Sequence, residues 1–147
     1  MKLRWAALSV VLALSALMPA NAAGQTTEQP SRPNRIGKLG QNYPNPFNPE
    51  TWIPFAVDSA CAEPGRQYRV TLRIYNVLTQ VVGVPVLQGG PSGGEKVENL
   101  VLTCGSHVAF WNGKYLNSDR DVASAVYLYR LDVDGKFMET RKFFVKK

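Results

Sequence analysis

The side chains that could react or hold a metal are few. The 147-residue chain carries one histidine, His107, and two cysteines, Cys61 and Cys104. Acid–base or nucleophilic chemistry needs groups that converge with tuned pKa values. His107 sits in a run that reads as a strand, where its face is shared with Ala109 and Trp111 rather than with a carboxylate or a nucleophile. No G-x-S-x-G nucleophile elbow occurs. Two cysteines and a histidine do not complete a closed zinc site. Asn117–Asp121, NSDRD, alternates oxygen-bearing side chains as a calcium loop does, but Val122 stands where the sharp turn needs glycine and Leu128 where the bidentate Glu belongs. The glycine-rich QGGPSGGEK lacks the spacing and the following Ser or Thr of a phosphate loop. No catalytic, cofactor-binding or metal-ligating set is therefore expected, and no cofactor or small-molecule substrate with it.

The beginning of the chain bears on the cysteines. Lys2 and Arg4 precede an uncharged apolar stretch, Trp5–Met18, which Pro19 breaks ahead of Ala20-Asn21-Ala22. This is the pattern of a secretory signal peptide cleaved between Ala22 and Ala23. The stretch is too short to span a bilayer, and no later segment is long and apolar enough, so no transmembrane segment is expected after cleavage. Cleavage removes 22 of the 147 residues and two positive charges, lowering the formal net charge from +6 to +4. In an exported protein two sparse cysteines are most simply one disulfide, with two free thiols as the alternative. The basic residues are scattered apart from the last few, whereas nucleic-acid binding needs a clustered basic face with stacking aromatics, so no nucleic-acid partner is expected.

The elements that must position these residues are strands. Residues 23–40 are polar, with Gly and Pro, and read as a flexible linker. Beyond them no window repeats apolar residues at helical spacing; short alternating runs are separated by turn residues instead. Strands are expected at 51–57, 68–76, 80–87, 97–102, 106–111, 125–133 and 136–145. Ile53, Phe55, Val57, Val70, Leu72 and Ile74 face inward; Arg69, Thr71 and Arg73 face outward. Pro85 implies an edge or a bend, and Pro54 marks an edge strand. Asp134-Gly135 is a two-residue hairpin signal. Tyr127, Tyr129, Phe137, Phe143 and Phe144 suit core and cross-strand pairs. The fold class is all-β: seven short strands in about 95 residues suggest an immunoglobulin-like antiparallel β-sandwich over 41–147. The last strand is expected to finish the polypeptide, with only the signal peptide (1–22) and the linker (23–40) before the domain.

The segments YPNPFNPETWIPF, VTLRIYNVLTQVV, WNGK, DVASAVYLYRL and TRKFFVK occur in an order and spacing that resembles the C-terminal sorting domain (type A) of type IX secretion cargo. They are equally similar to the related immunoglobulin-like domain of the flagellar hook-capping protein. The resemblance covers roughly Leu39 to Lys146 and implies a non-enzymatic module exported across the inner membrane. Such a module reaches the cell surface or exterior of a bacterium with an outer membrane and is recognised by secretion machinery or an envelope protein. The alternative it implies is a structural or assembly module with no sorting role. The matching positions make Asn45, Pro46, Phe47, Asn48 and Pro49, with Arg141, Lys142, Lys146 and Lys147, the candidate recognition residues. The chain departs from the family at Asn112, where Trp-Asp-Gly is usual, at Ala125, at Thr79-Gln80 in place of Gly-Gln, and near Ser118, where a turn glycine is missing. The segment Asp58–Gln67 and the one leading to strand 106–111 are long, and each carries one cysteine. That coincidence favours a Cys61–Cys104 bridge.

Overall fold

Alternation along the chain builds the strands. In Thr51–Val57 the residues Thr51, Ile53, Phe55 and Val57 are buried while Trp52, Pro54 and Ala56 are half-buried, the period of two of a strand with one face on a core. The same pattern organises the other long strands. A computed structural model describes residues 35–147. The expected signal peptide, the Ala22–Ala23 cleavage position and the linker as far as residue 34 lie outside the described residues. The described part is all-β: β1 (Gly37–Leu39), β2 (Thr51–Val57), β3 (Gln67–Tyr75), β4 (Val81–Gly83), β5 (Val86–Gln88), β6 (Leu100–Thr103), β7 (Gly105–Trp111), β8 (Val126–Val133) and β9 (Lys136–Phe144). Among the described residues no helix is long and apolar enough to cross a membrane.

The strands form two antiparallel sheets. The first has the order β1-β2-β7-β5; the second has β4-β3-β8-β9, with β6 also on β3. Their apolar faces enclose one core. Trp111 of the first sheet meets Tyr127 and Phe143 of the second edge-on, with ring centroids 6.2 and 5.8 Å apart. Such T-shaped contacts add to simple burial.

Several sequence expectations change here. The expected strand 80–87 is two strands in different sheets, and the chain crosses between them at Val84-Pro85. Proline has no N–H to give a ladder, so the break falls there. The end of the presumed linker, Gly37–Leu39, is β1, with Leu39 buried. A Cβ on Gly37 would stand 2.8 Å from Met138 Cγ, so glycine lets this strand lie on the core. Pro54 is in an inner strand, between β1 and β7. Its carbonyl accepts from the Gly40 N–H at 2.7 Å, so its donorless nitrogen faces the side where β1 has ended. Thr71 is on the outward face, between inward Val70 and Leu72, but is covered there: its hydroxyl accepts from the Asn99 N–H. Phe137 and Phe144 are exposed rather than core. A register shift opposite Leu131/Asp132 leaves Met138 without a pairing partner and turns Phe137 outward. The Asp134-Gly135 hairpin forms as expected, with φ of 51° and 73° at its two turn residues.

Strand register defines two ends of the molecule. At one, Val57 pairs with Gly105 and Val70 with Val133; at the other, Thr51 pairs with Trp111 and Val126 with Phe144. The Cys61–Cys104 disulfide closes the first end, with a Cα–Cα distance of 5.3 Å and the two residues 43 positions apart in sequence. It ties the β2–β3 loop to the point where the chain passes from β6 to β7. The second end holds the candidate recognition residues.

Candidate functional site

The segment before β2 is fastened from within. Asn42 is buried: its Nδ2 donates to Thr51 Oγ1 at 3.0 Å and to the Pro44 carbonyl at 3.1 Å, and its N–H donates to the Tyr129 hydroxyl. The Tyr129 hydroxyl in turn donates to the Gly40 carbonyl at 2.7 Å. A buried polar group is tolerated only when satisfied in this way. The X-Pro bonds at Pro44, Pro46 and Pro49 are cis. From this anchored base the chain passes Asn45–Pro49 over the end of β9.

There it clasps the strand. Phe47 pairs with Val145 in a parallel bridge. Its N–H donates to the Phe144 carbonyl and its carbonyl accepts from the Lys146 N–H, both at 3.1 Å. The Phe144 N–H donates to Asn45 Oδ1 at 3.0 Å. Strand β9 is at the edge of its sheet, so both outward-facing groups of Phe144 would otherwise be unpaired. The Phe47 ring is 2% exposed and touches Phe143 and Trp111, at centroid distances of 5.2 and 5.7 Å. Gly113 completes the arrangement. Its φ is +71°, and a Cβ there would run into the Pro49 carbonyl. Trp111-Asn112-Gly113, Asn45–Pro49 and the end of β9 are therefore one structure. Asn112 Oδ1 accepts from the Lys114 N–H at 3.1 Å. A carboxylate at that position would accept the same bond, so asparagine in place of aspartate keeps the turn.

Of the nine candidate recognition residues, Phe47 belongs to the core and Asn45, Pro46, Asn48 and Pro49 are exposed around it. Lys142, Lys146 and Lys147 are exposed and Arg141 is half-buried. Arg141 pairs with Glu139 at 3.0 Å, and Lys147 Nζ pairs with Asp121 at 2.9 Å. That ammonium holds the Asp121 carboxyl below its usual range, first by hydrogen bonding and then by charge. Among the described residues Lys142 and Lys146 make no ion pair. The Lys147 N–H donates to Ser124 Oγ, and the Val145 N–H to the Ala125 carbonyl. Asp121, Ser124 and Gly113 were not among the recognition candidates from sequence. The glycine of the Trp-Asn-Gly turn was the local signal for Gly113. Beneath the clasp, burial and then the neighbouring Tyr115 push the Tyr127 phenol up to about 12.

The other chemistry-bearing residues are occupied locally. His107 stacks on Phe55 at 5.3 Å, and its Nε2 lies 3.1 Å from the Thr103 carbonyl oxygen. Asp119 pairs with Lys114 and Asp121 with Lys147, so both carboxylates of NSDRD face ammonium groups. Among the described residues no group of three or more His, Cys, Asp or Glu is placed to hold a metal ion.

No family model matches the chain, and no curated protein matches it. Among solved structures, Pseudomonas fluorescens alkylpurine DNA glycosylase AlkC bound to DNA containing an abasic site analog is similar at a TM-score of 0.41 and 11% identity, over 77% of this chain. The match spans 31% of that chain, and a likeness at this score carries no argument about function.

Proposed function

We propose that this chain is an exported, non-enzymatic β-sandwich module of immunoglobulin-like topology, read at its clasp end by a protein of the secretion apparatus or the envelope, as a type IX sorting domain is. The strand orders support the topology. Taken in chain order as A, B, C, C′, D, E, F and G, with β6 as an addition, β1-β2-β7-β5 reads A-B-E-D and β4-β3-β8-β9 reads C′-C-F-G. The observation that carries the functional reading is the convergence of Asn45–Pro49 and Phe144–Lys146, about a hundred residues apart in sequence, through three hydrogen bonds. Exposed amide, proline and lysine groups there surround a fixed aromatic anchor, which is a surface a partner can read without the module moving. The localisation that follows is the surface or exterior of a bacterium with an outer membrane.

The test is surface delivery of a reporter placed ahead of residues 35–147 in such a bacterium. Deleting Arg141–Lys147 would remove buried Phe143 and Val145, so loss of delivery would report unfolding. Lys142→Glu with Lys146→Glu alters only exposed side chains. Delivery is expected to fall to background while the melting temperature holds. Normal delivery of the double variant would overturn the sorting reading and favour an assembly module.

A further inference from the structure

A second surface lies away from the basic groups of the clasp. Directly paired positions carry Tyr43, Trp52, Phe110, Val86 and Lys96 in one row across the outer face of the first sheet. Opposed residues of paired strands point to the same face, and Trp52 is outward because Thr51 and Ile53 are buried. At about 4.8 Å per strand step the row is roughly 19 Å long. The Tyr43 and Trp52 rings are nearly parallel, 13° apart at a centroid distance of 6.1 Å, and Phe110 follows Trp52 at 5.4 Å. Tyr43 is 51% exposed. The row runs into a cleft of about 480 Å³ whose walls include Phe110, Lys96, Asn112, Lys114, Tyr115 and Asp119. Lys114 is engaged with Asp119, whereas Lys96 makes no ion pair among the described residues.

We infer that this row and cleft bind an acidic oligosaccharide. A pyranose ring presents a flat C–H face that stacks on an aromatic plane, and its hydroxyl rim needs amide and hydroxyl partners. The row supplies the first and the cleft the second. Lys96, at the junction, supplies a cation for a sugar carboxylate. A single-stranded nucleic acid would also stack, but it needs a line of cations tracking its backbone, and this face offers Lys96 and a Lys114 already engaged. The inference is independent of the sorting reading, which concerns the lysines and the Asn45–Pro49 segment.

The experiment is calorimetric titration of the purified protein with a galacturonic acid hexasaccharide, a glucose hexasaccharide and a thymidine hexanucleotide. Preferential binding of the acidic sugar is expected. Trp52→Ala should weaken it about tenfold or more and Lys96→Gln several-fold, on the scale where tenfold is about 1.4 kcal/mol. Tyr43→Ala, at an exposed position, checks the platform without touching the core and should weaken binding with the melting temperature unchanged. Absence of binding, equal affinity for the neutral hexasaccharide, tighter binding of the hexanucleotide, or indifference to Tyr43→Ala and Lys96→Gln in folded variants would each overturn the inference.

Discussion

The two ends of this molecule solve the same problem with different chemistry. Each must hold a long connecting segment against the end of the sandwich. At one end a covalent bond, Cys61–Cys104, fastens the long β2–β3 loop to the β6–β7 crossing. At the other, three backbone and side-chain hydrogen bonds and one buried ring fasten Asn45–Pro49 to the end of β9. The covalent end acts mainly on the unfolded chain, by shortening it. The clasped end acts on the folded state, through burial and the pairing of an open strand edge. The lesson is functional as well as structural. A disulfide withdraws its residues from further chemistry, whereas a clasp leaves Asn48, Pro49 and Lys146 facing solvent in fixed positions.

The sharpest way to break the comparison is at its centre. Phe47→Ala should cost about 3–5 kcal/mol, the range for a buried aromatic truncated to alanine. Denaturant melts measure the loss, and amide exchange at Phe144 and Lys146 should rise more than at β3. Removing the disulfide by Cys61→Ser with Cys104→Ser should cost about 2–4 kcal/mol, since a closed loop of 43 positions restricts the unfolded chain. Here the clasp amides should exchange no faster than global unfolding allows.

Alkaline titration probes the phenols beneath the clasp without mutation. Tyr127 and Tyr129 both have raised pKa values, burial being the first cause for each. A raised folded value means that each contribution is complete below the unfolded value near 10 and is lost as pH rises through the folded value, which for Tyr127 is about 12. Both phenols pack with Phe143 beneath the clasp, so stability should fall across that interval. A flat profile between those limits would contradict the burial of these phenols. The smallest effect is at a turn. Thr79 has φ of +60°, a conformation costly for a β-branched residue. Thr79→Gly should raise stability by about 0.5–1 kcal/mol, the strain relieved exceeding the added freedom of the unfolded chain.

Much of the fold was legible in the sequence because its long strands alternate cleanly. Strands β2, β3, β7, β8 and β9 fall within a residue or so of where period two places them. Strand β1 was not legible. Three residues, one of them glycine, carry no period, and they are held by register with β2 and by Met138 from β9. Pro85 announced a break, but nothing local says that a break is a passage between sheets. Phe137 and Phe144 look like core residues until a register shift and a doubled aromatic are considered; of adjacent Phe143 and Phe144 only one can face inward. The site was half legible. Asn45–Pro49 and the basic end of β9 stood out separately by composition. That they meet depends on the placement of β9 at a sheet edge, which single-strand patterns do not encode. The missing turn glycines have a local answer: Thr79 and Asn117 take positive φ in their place, and Ala125 does not need to.

The central claim is that the clasp end, and not the disulfide end, is where a partner reads this module. Site-specific photo-crosslinking in exporting cells tests it most directly. A photoreactive residue is placed in turn at exposed Asn48 and Lys146, and at exposed Ala62 beside the disulfide. The account predicts one secretion or envelope protein captured from Asn48 and Lys146 and not from Ala62. Capture from Ala62 alone, or equal capture from all three positions, would contradict it.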